Sequence, residues 1–450
     1  MALRFSPPVM SILRSCAWSA LVVAAPPSFA QTAKDSVKVE RFSVHAQLTE
    51  VVQWKPSFSA KYSGTNSLST EEETRTSITS TLFLGARLWH GAELYFNPEL
   101  AGGAGLTGAL GVASSTNGET FRVGDPQPQF YNARLFIRQD FALGDATEPV
   151  EGEANALASF RPKDRVTITV GKICMADLFD DNRYSHDPRT QFLSWGLMDN
   201  GAWDYAANVR GYTPAFVIEL IKGKTEFRYA LALLPEEANG AKMQWDLGRS
   251  RSHMAEYARH FKLHGHEGIV RILGFHNTAP MGSYRSSMSR ALPGETPSIV
   301  ADRKERRTKY GFMVNVEQEL TKDLGVFLRA GWNDGANETW AFTEIDRELS
   351  AGVALNGRKW HRPNDDMGLA FVASGLSTAH RDYLKAGGNG FILGDGTLNY
   401  DLEKVIEFYY SCSLKQGIWL SGTYQLVADP GYNRDRGPVN VFSLRLHLEL

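Results

Sequence analysis

Pro438-Val-Asn-Val-Phe-Ser-Leu-Arg-Leu-His-Leu-Glu-Leu450 closes the chain on an alternation of apolar and polar side chains that runs to the last residue. Successive side chains of a strand point to opposite faces. Phe442, Leu444, Leu446, Leu448 and Leu450 therefore share one face, and Ser443, Arg445, His447 and Glu449 the other. An unbroken apolar face opposite a charged one is the pattern of a barrel whose outside meets lipid and whose inside meets water. Such a barrel serves passage of a solute rather than covalent chemistry.

The same construction recurs upstream as pairs of segments joined by tight polar turns. Thr81–Trp89 turns at His90-Gly91 into Ala92–Leu100, with Leu82, Leu84, Leu88, Leu94, Phe96 and Leu100 on one face and Arg87, Glu93, Asn97 and Glu99 on the other. Phe216, Ile218 and Leu220 lead through Lys222-Gly-Lys-Thr225 to Phe227, Tyr229, Leu231 and Leu233, while Glu219 and Arg228 point the opposite way. Phe312, Val314 and Val316 pass Thr321-Lys-Asp323 to Val326, Leu328 and Trp332, leaving Asn315, Glu317 and Arg329 inside. Ile406, Phe408 and Tyr410 precede the Lys415-Gln-Gly417 turn and Leu420, Tyr424 and Leu426. Glu403, Glu407, Ser421, Thr423 and Gln425 then face the lumen.

Short turns alternate with connections too long for hairpins: Leu100 to Gln129, Asp140 to Asp164, Phe179 to Tyr212 and Asn277 to Arg307. Short turns at one end and long loops at the other is the outer-membrane plan, and its even strand number rounds about fifteen visible segments to roughly sixteen. The expected fold is an all-β, transmembrane, antiparallel β-barrel, wide enough for a water channel unless loops fold inward. Trp89, Tyr212, Trp332 and Tyr410 sit at strand ends, where an interfacial aromatic girdle is expected.

The start of the chain reads as a secretory signal peptide over residues 1–30. Arg4 and Arg14 make a basic leader, Cys16 to Ala25 an apolar core, and Ser28-Phe29-Ala30 a small-x-small cleavage site. The core is shorter than a spanning helix and Pro26-Pro27 ends it. Residues 31–450 then form one barrel domain, since the alternating texture runs from Ser43 to Leu450 without a linker. Losing the two leader arginines takes the formal charge from -2 to -4. That balance argues against nucleic acid as a partner, which needs a clustered basic excess. Only Cys174 and Cys412 remain, too few for a disulfide framework or a zinc site.

The segment Phe179–Thr213 (FDDNRYSHDPRTQFLSWGLMDNGAWDYAANVRGYT) breaks the alternation. It sets Tyr184, Trp195, Trp203 and Tyr205 among Asp180, Asp181, Arg183, Asp187, Arg189, Asn200, Asp204 and Arg210. Aromatic faces cover the C–H side of a pyranose, while carboxylates, amides and guanidinium groups pair with its hydroxyls. The same residues also suit a loop whose polar groups satisfy one another and hold it against the barrel wall.

Gly171–Trp195, Asn200-Gly-Ala-Trp-Asp-Tyr205 and Arg210-Gly-Tyr212 closely resemble the carbohydrate-selective outer-membrane porins of the OprB type. So do Phe83–Trp89, Ala92–Glu99 and Gly431–Pro438, and the resemblance covers the chain from about Ser43 onward. It implies a sixteen-stranded barrel with inward-folded loops and a narrow eyelet, in the outer membrane, passing glucose and other small neutral sugars into the periplasm by facilitated diffusion. It also implies outer-membrane lipid and the barrel-assembly machinery as partners, and neither a cofactor nor an enzymatic activity. The eyelet positions it transfers, by motif and lumen direction, are Arg87, Glu93, Arg134, Asp180, Arg183, Asp204 and Arg210; the chemistry of the aromatic-polar segment adds Trp195 and Trp203 to the expected substrate path, Trp203 as a stacking face. One departure is the ending in Leu450, where such porins commonly end in an aromatic residue.

Other patterns carry less. His253, His260, His264, His266 and His276 have no cysteine nearby, and alternate positions on a turn seldom converge on a metal. Asp180 and Asp181 are adjacent on a loop and point apart, unlike the opposed carboxyls of a glycosidase. Ala101–Gly108 lacks the Gly-Lys-Ser/Thr ending of a phosphate loop, and its glycines suggest a flexible connection. A barrel that binds or exports a polysaccharide would share this wall and differ in size limit and direction.

Overall fold

A computed structural model describes residues 38–120 and 127–450; the expected signal peptide lies outside the described residues. The chain forms β1 (Phe42–Lys55), β2 (Glu73–Trp89), β3 (Ala92–Gly103), β4 (Gln129–Ala142), a short hairpin of β5 (Thr147–Val150) and β6 (Ser159–Pro162), β7 (Arg165–Ile173), β8 (Thr213–Lys222) and β9 (Thr225–Ala232). It continues with β10 (Arg251–Leu263), β11 (His266–Ala279), β12 (Arg307–Thr321), β13 (Leu324–Asn333), β14 (Arg347–Asn356), β15 (Asp366–Gly375), β16 (Glu403–Lys415), β17 (Ile418–Ala428) and β18 (Val439–Glu449). All but β5 and β6 join into one closed barrel of sixteen strands in which β18 pairs with β1. Every neighbouring pair is antiparallel, and the seam runs in register from Gln47↔Glu449 to Trp54↔Phe442. Closure leaves no free strand edge, which satisfies the backbone where no water can.

Alternation sets the two faces of the wall. Leu82, Leu88, Phe96, Phe216, Leu220, Phe227, Phe312, Leu328, Ile406, Phe408 and Phe442 are exposed on the outside, while Asn315, Glu317, Arg329, Glu403, Glu407 and Arg445 are buried inside. An arginine at Leu444, which lies between Val52 of β1 and Gly422 of β17, is expected to destabilise the barrel by roughly 2–4 kcal/mol, as a charge facing lipid near mid-bilayer does. Urea titration of the heat-modifiable folded band measures it. Ser443 faces inward but is not wet: it is buried and accepts a hydrogen bond from Gln53 Nε2 at 3.0 Å. Arginine is therefore costly there too, through overpacking.

The tight turns gather at one end of the barrel. Between β10 and β11, His264 and Gly265 both take positive φ (52° and 85°), the two-residue turn whose twist matches the strands it joins. Long connections cluster at the other end, with one exception. The Asp140–Asp164 stretch lies at the tight-turn end, because β4 and β7 are neighbours paired at Ala142↔Arg165 and the chain between them makes the β5–β6 hairpin. Length alone does not say which end a connection occupies.

Two other expectations are corrected. The glycine-rich stretch is ordered by packing: β3 runs through Gly103, and Leu106 and Ala109 of the turn that follows are buried. Tyr212 is no girdle residue, since it precedes β8 and is buried inside with Arg134 over its ring at 5.1 Å.

At the long-loop end, Asp302 accepts hydrogen bonds from the Ser283 amide (3.0 Å), Ser286 (2.7 Å), Arg290 (3.1 Å) and Arg307 (2.7 Å). Burial alone would raise its carboxyl, but the bonds from Ser286 and Arg307 outweigh this and lower it to about 2. A depressed carboxylate stabilises the fold above its unfolded value of about 3.9, and that contribution is lost as pH falls through the folded value. Pepsin cleavage within residues 280–306, normalised to an unfolded substrate, is therefore expected to accelerate as pH drops from about 4 to about 2. Asp302→Asn should remove most of that dependence.

Candidate functional site: a lumenal passage and its eyelet

The connection between β7 and β8 folds into the barrel and lies along the inner wall formed by β10 to β18. Wall side chains clasp its backbone. Glu256 of β10 accepts the Asp180 amide at 2.8 Å, and Asn277 of β11 donates to the Asp204 carbonyl at 2.7 Å. Glu348 of β14 accepts the Gly201 amide (2.8 Å), and Glu407 of β16 accepts the amides of Leu193 and Ser194 (2.6 and 2.9 Å). Arg445 of β18 donates to the carbonyls of Pro188 and Gln191 at 2.6 and 2.7 Å. Apart from one helical turn at Trp195–Met198, a segment this deep lacks regular structure, so side chains must satisfy many of its amides and carbonyls, and the inward-facing charges do so.

The β3–β4 connection folds in beside it. Glu403 accepts the amides of Ala113 and Ser114, both at 2.8 Å, and Gln53 and Gln425 donate to the Thr116 carbonyl at 2.8 and 3.0 Å.

What the two loops leave open is a cavity of about 920 Å³ between the β7–β8 loop and the wall of β1 to β4. It reaches from Asn239, Ala341 and Phe342 at the long-loop end to Gln416, Gly417 and Leu450 at the tight-turn end. Its middle is lined by paired charges. Arg134 of β4 holds Asp177 through two hydrogen bonds of 2.6 Å. Arg189 lies 3.1 Å from Glu119 and 3.4 Å from Glu99. Glu99 also accepts from Thr81 (2.6 Å), Tyr212 (3.2 Å) and Tyr131. Arg210 stacks over the Tyr131 ring at 4.1 Å, and His186 approaches Asp199 at 3.5 Å. Trp195, Tyr205 and Tyr212 add ring surface to the same cavity, and Trp195 is backed by Phe342 at 5.7 Å. Cys174, a free thiol like Cys412, also lines it.

Of the positions expected at an eyelet, Arg134, Trp195 and Arg210 line this cavity. Asp180 is buried in the loop's anchor, 3.1 Å from Arg329 Nε. Trp203 is buried against Phe179 and Tyr205 and presents no face to the cavity. Asp204 is spent on backbone, accepting the amides of Trp340, Ala341 and Phe342 at 2.9, 2.7 and 3.2 Å. Arg183 is half-exposed and lies 3.5 Å from Glu319 near the β12–β13 turn. Arg87 and Glu93 face each other at 3.4 Å beside Arg138, toward the tight-turn end.

The alternation of β3 had already turned Glu99 inward, and Arg189 stood in the aromatic-polar segment. Nothing in the sequence marked Asp177 or Glu119 as their partners. The histidines take separate partners: His253 meets Tyr229 (2.8 Å), His260 meets Glu226 (2.6 Å) and His266 meets Glu319 (2.9 Å). Among the described residues no cluster of His, Cys, Asp and Glu has metal-holding geometry.

The sequence profile of the family described as "Carbohydrate-selective porin, OprB family" matches residues 65–450. The high-pH structure of Pseudomonas putida OprB is similar with a TM-score of 0.69 at 16% identity, covering 91% of this chain and 94% of that one. The outer-membrane channel DcaP of Acinetobacter baumannii is a more distant likeness, with a TM-score of 0.48 at 10% identity over 91% and 97% of the two chains. No match was found among the curated proteins.

Proposed function

Because this chain belongs to the carbohydrate-selective porin family, OprB, and forms its outer-membrane barrel, we propose that it passes small neutral sugars such as glucose into the periplasm by facilitated diffusion. The observation that carries this is the middle of the cavity, where Arg134–Asp177 and Arg189–Glu119 face ring surface from Trp195, Tyr205 and Tyr212. A pyranose there exchanges water hydrogen bonds for bonds to guanidinium and carboxylate groups while an aromatic face orients its ring. Each charge is already paired, so the site offers hydroxyls many weak partners and a free ion none. Weak partners suit conduction, since a tight site would trap the solute.

In this reading the protein is a channel without catalytic function. Residues 1–30 are removed on export, and residues 31–450 enter the outer membrane through the barrel-assembly machinery with the apolar wall against lipid. Swelling of liposomes loaded with the protein, in sugars of graded size, tests the function. Monosaccharides should enter fast and long oligosaccharides not at all. Free passage of long chains would favour a polysaccharide exporter, and exclusion of monosaccharides would end the proposal.

A further inference from the structure

We propose that the β5–β6 hairpin forms a second constriction of the passage at the tight-turn end, one that sets the size limit and ion preference of the exit independently of the eyelet. Connections at this end are otherwise short, and this one runs from Ala142 to Arg165. Its tip does not hang outside the barrel. Asn155 accepts a hydrogen bond from Asn97 at 2.9 Å, five residues into β3 from Ala92, which is about 16 Å along the strand. The tip has therefore turned up into the lumen.

It is held there on several sides. Tyr95 receives the Leu157 amide at 3.2 Å and donates to Glu93 at 2.7 Å, and Arg138 donates to Glu93 (2.8 Å) and to the Asn155 carbonyl (3.3 Å). Glu40 accepts the Ala158 amide on its carboxylate, and its own amide donates to the Ala158 carbonyl, both at 2.9 Å. Leu157 is buried. The tip itself is a tight turn closed by reciprocal Glu153 and Ala156 backbone bonds of 3.0 Å, with Asn155 at φ 60°. Arg87 and Glu93, expected at an eyelet, thus stand in the hairpin's footing.

Gly152, Glu153, Ala154 and Asn155 border the same cavity as Arg134 and Arg189. A solute that clears the eyelet has to pass them. The Glu153 side chain is exposed and takes no hydrogen bond or ion pair among the described residues, and Glu449, 3.0 Å from His447, borders the cavity at the same end. Glu153 thus leaves uncompensated negative charge at the exit, where the eyelet is charge-balanced, and such a mouth favours cations over anions.

The test uses the full-length protein in planar bilayers and in liposomes. Residues 149–160 are replaced by Asn-Gly, which keeps Glu148 and Arg161 as the facing pair and supplies a turn suited to two strands. In KCl the shortened channel should conduct roughly twofold more and admit larger sugars, whereas Ala154→Trp should conduct less. Glu153→Lys should move ion preference toward chloride. Unchanged conductance and size limit in both the shortened and the Ala154→Trp channels, with normal heat-modifiable mobility, would overturn the inference. If the shortened chain fails to fold, Ala154→Trp decides alone. The inference presupposes that the cavity conducts but not which solute it carries. Tip-dependent ion conductance in a channel that rejects sugars would support the inner constriction and refute the sugar reading.

Discussion

Arg329→Met is expected to be the most damaging single substitution in the barrel, costing about 3–5 kcal/mol, the usual penalty for stranding one member of a buried ion pair. Arg329 is fully buried on the inner face of β13. It lies 3.1 Å from the Asp180 carboxylate and donates to the carbonyls of Leu197 (2.9 Å), Asp180 (3.1 Å) and Ser185 (2.6 Å). Methionine fills much of the volume but leaves three carbonyls and a carboxylate facing it. Asp180 would keep only its bonds from Asn315 (2.8 Å) and the Asn200 amide (2.8 Å). The β7–β8 loop should come away from the wall before the barrel opens, because the backbone ladder at Arg329, paired with Asn315 and Ser350, does not depend on its side chain. Urea titration should show the lost stability, and protease cleavage between residues 174 and 212 should appear at lower urea than barrel unfolding. Wild-type stability in Arg329→Met would mean that the loop is held by its other clasps alone.

The double variant Arg134→Gln/Arg189→Gln is expected to leave the barrel folded and raise the potassium-over-chloride permeability ratio by roughly tenfold, since three carboxylates lose their counter-charges in a confined passage. Those carboxylates are Asp177, Glu99 and Glu119, now 2.6, 3.4 and 3.1 Å from the two guanidinium groups. Sugar flux should fall as well, because glutamine supplies fewer donors in a less rigid fork than arginine. The comparison variant is Arg183→Gln. Arg183 pairs with Glu319 away from the cavity, so its loss should change neither ion preference nor flux. Reversal potentials in a salt gradient measure the first effect. If Arg183→Gln shifted selectivity as far as the double variant, the narrowest point would lie elsewhere.

The contrast between these variants marks the boundary of what alternation reveals. Asn315, Glu317, Arg329, Glu407, Ser421 and Gln425 could be assigned to the lumen from the sequence because a strand's period is a local property, set by the backbone at each residue. The aromatic-polar segment could be recognised as a distinct inward element for a similar reason: it breaks that period. Within it, however, Asp204 and Arg210 looked alike as charged residues within two positions of an aromatic. Folding makes one a buried cap on the amides of residues 340–342 and sets the other over the Tyr131 ring beside the passage. Trp195 and Trp203 divide in the same way, one bordering the cavity and one sealed in the core.

From the chain alone came the closed antiparallel wall, its lipid and water faces, its approximate strand number and the family it resembles, all of which follow from patterns a few residues long. Tertiary structure decided what each inward side chain meets. Arg329 and Asp180 are 149 positions apart, and Glu407 reaches the Leu193 amide across 214. Whether a lumenal charge clasps a loop or borders open water depends on how a loop lies against a distant strand. No local period encodes that. The same holds for the β5–β6 hairpin, whose length could be read in advance but whose turn into the lumen rests on Tyr95, Asn97 and Arg138 of the wall it meets.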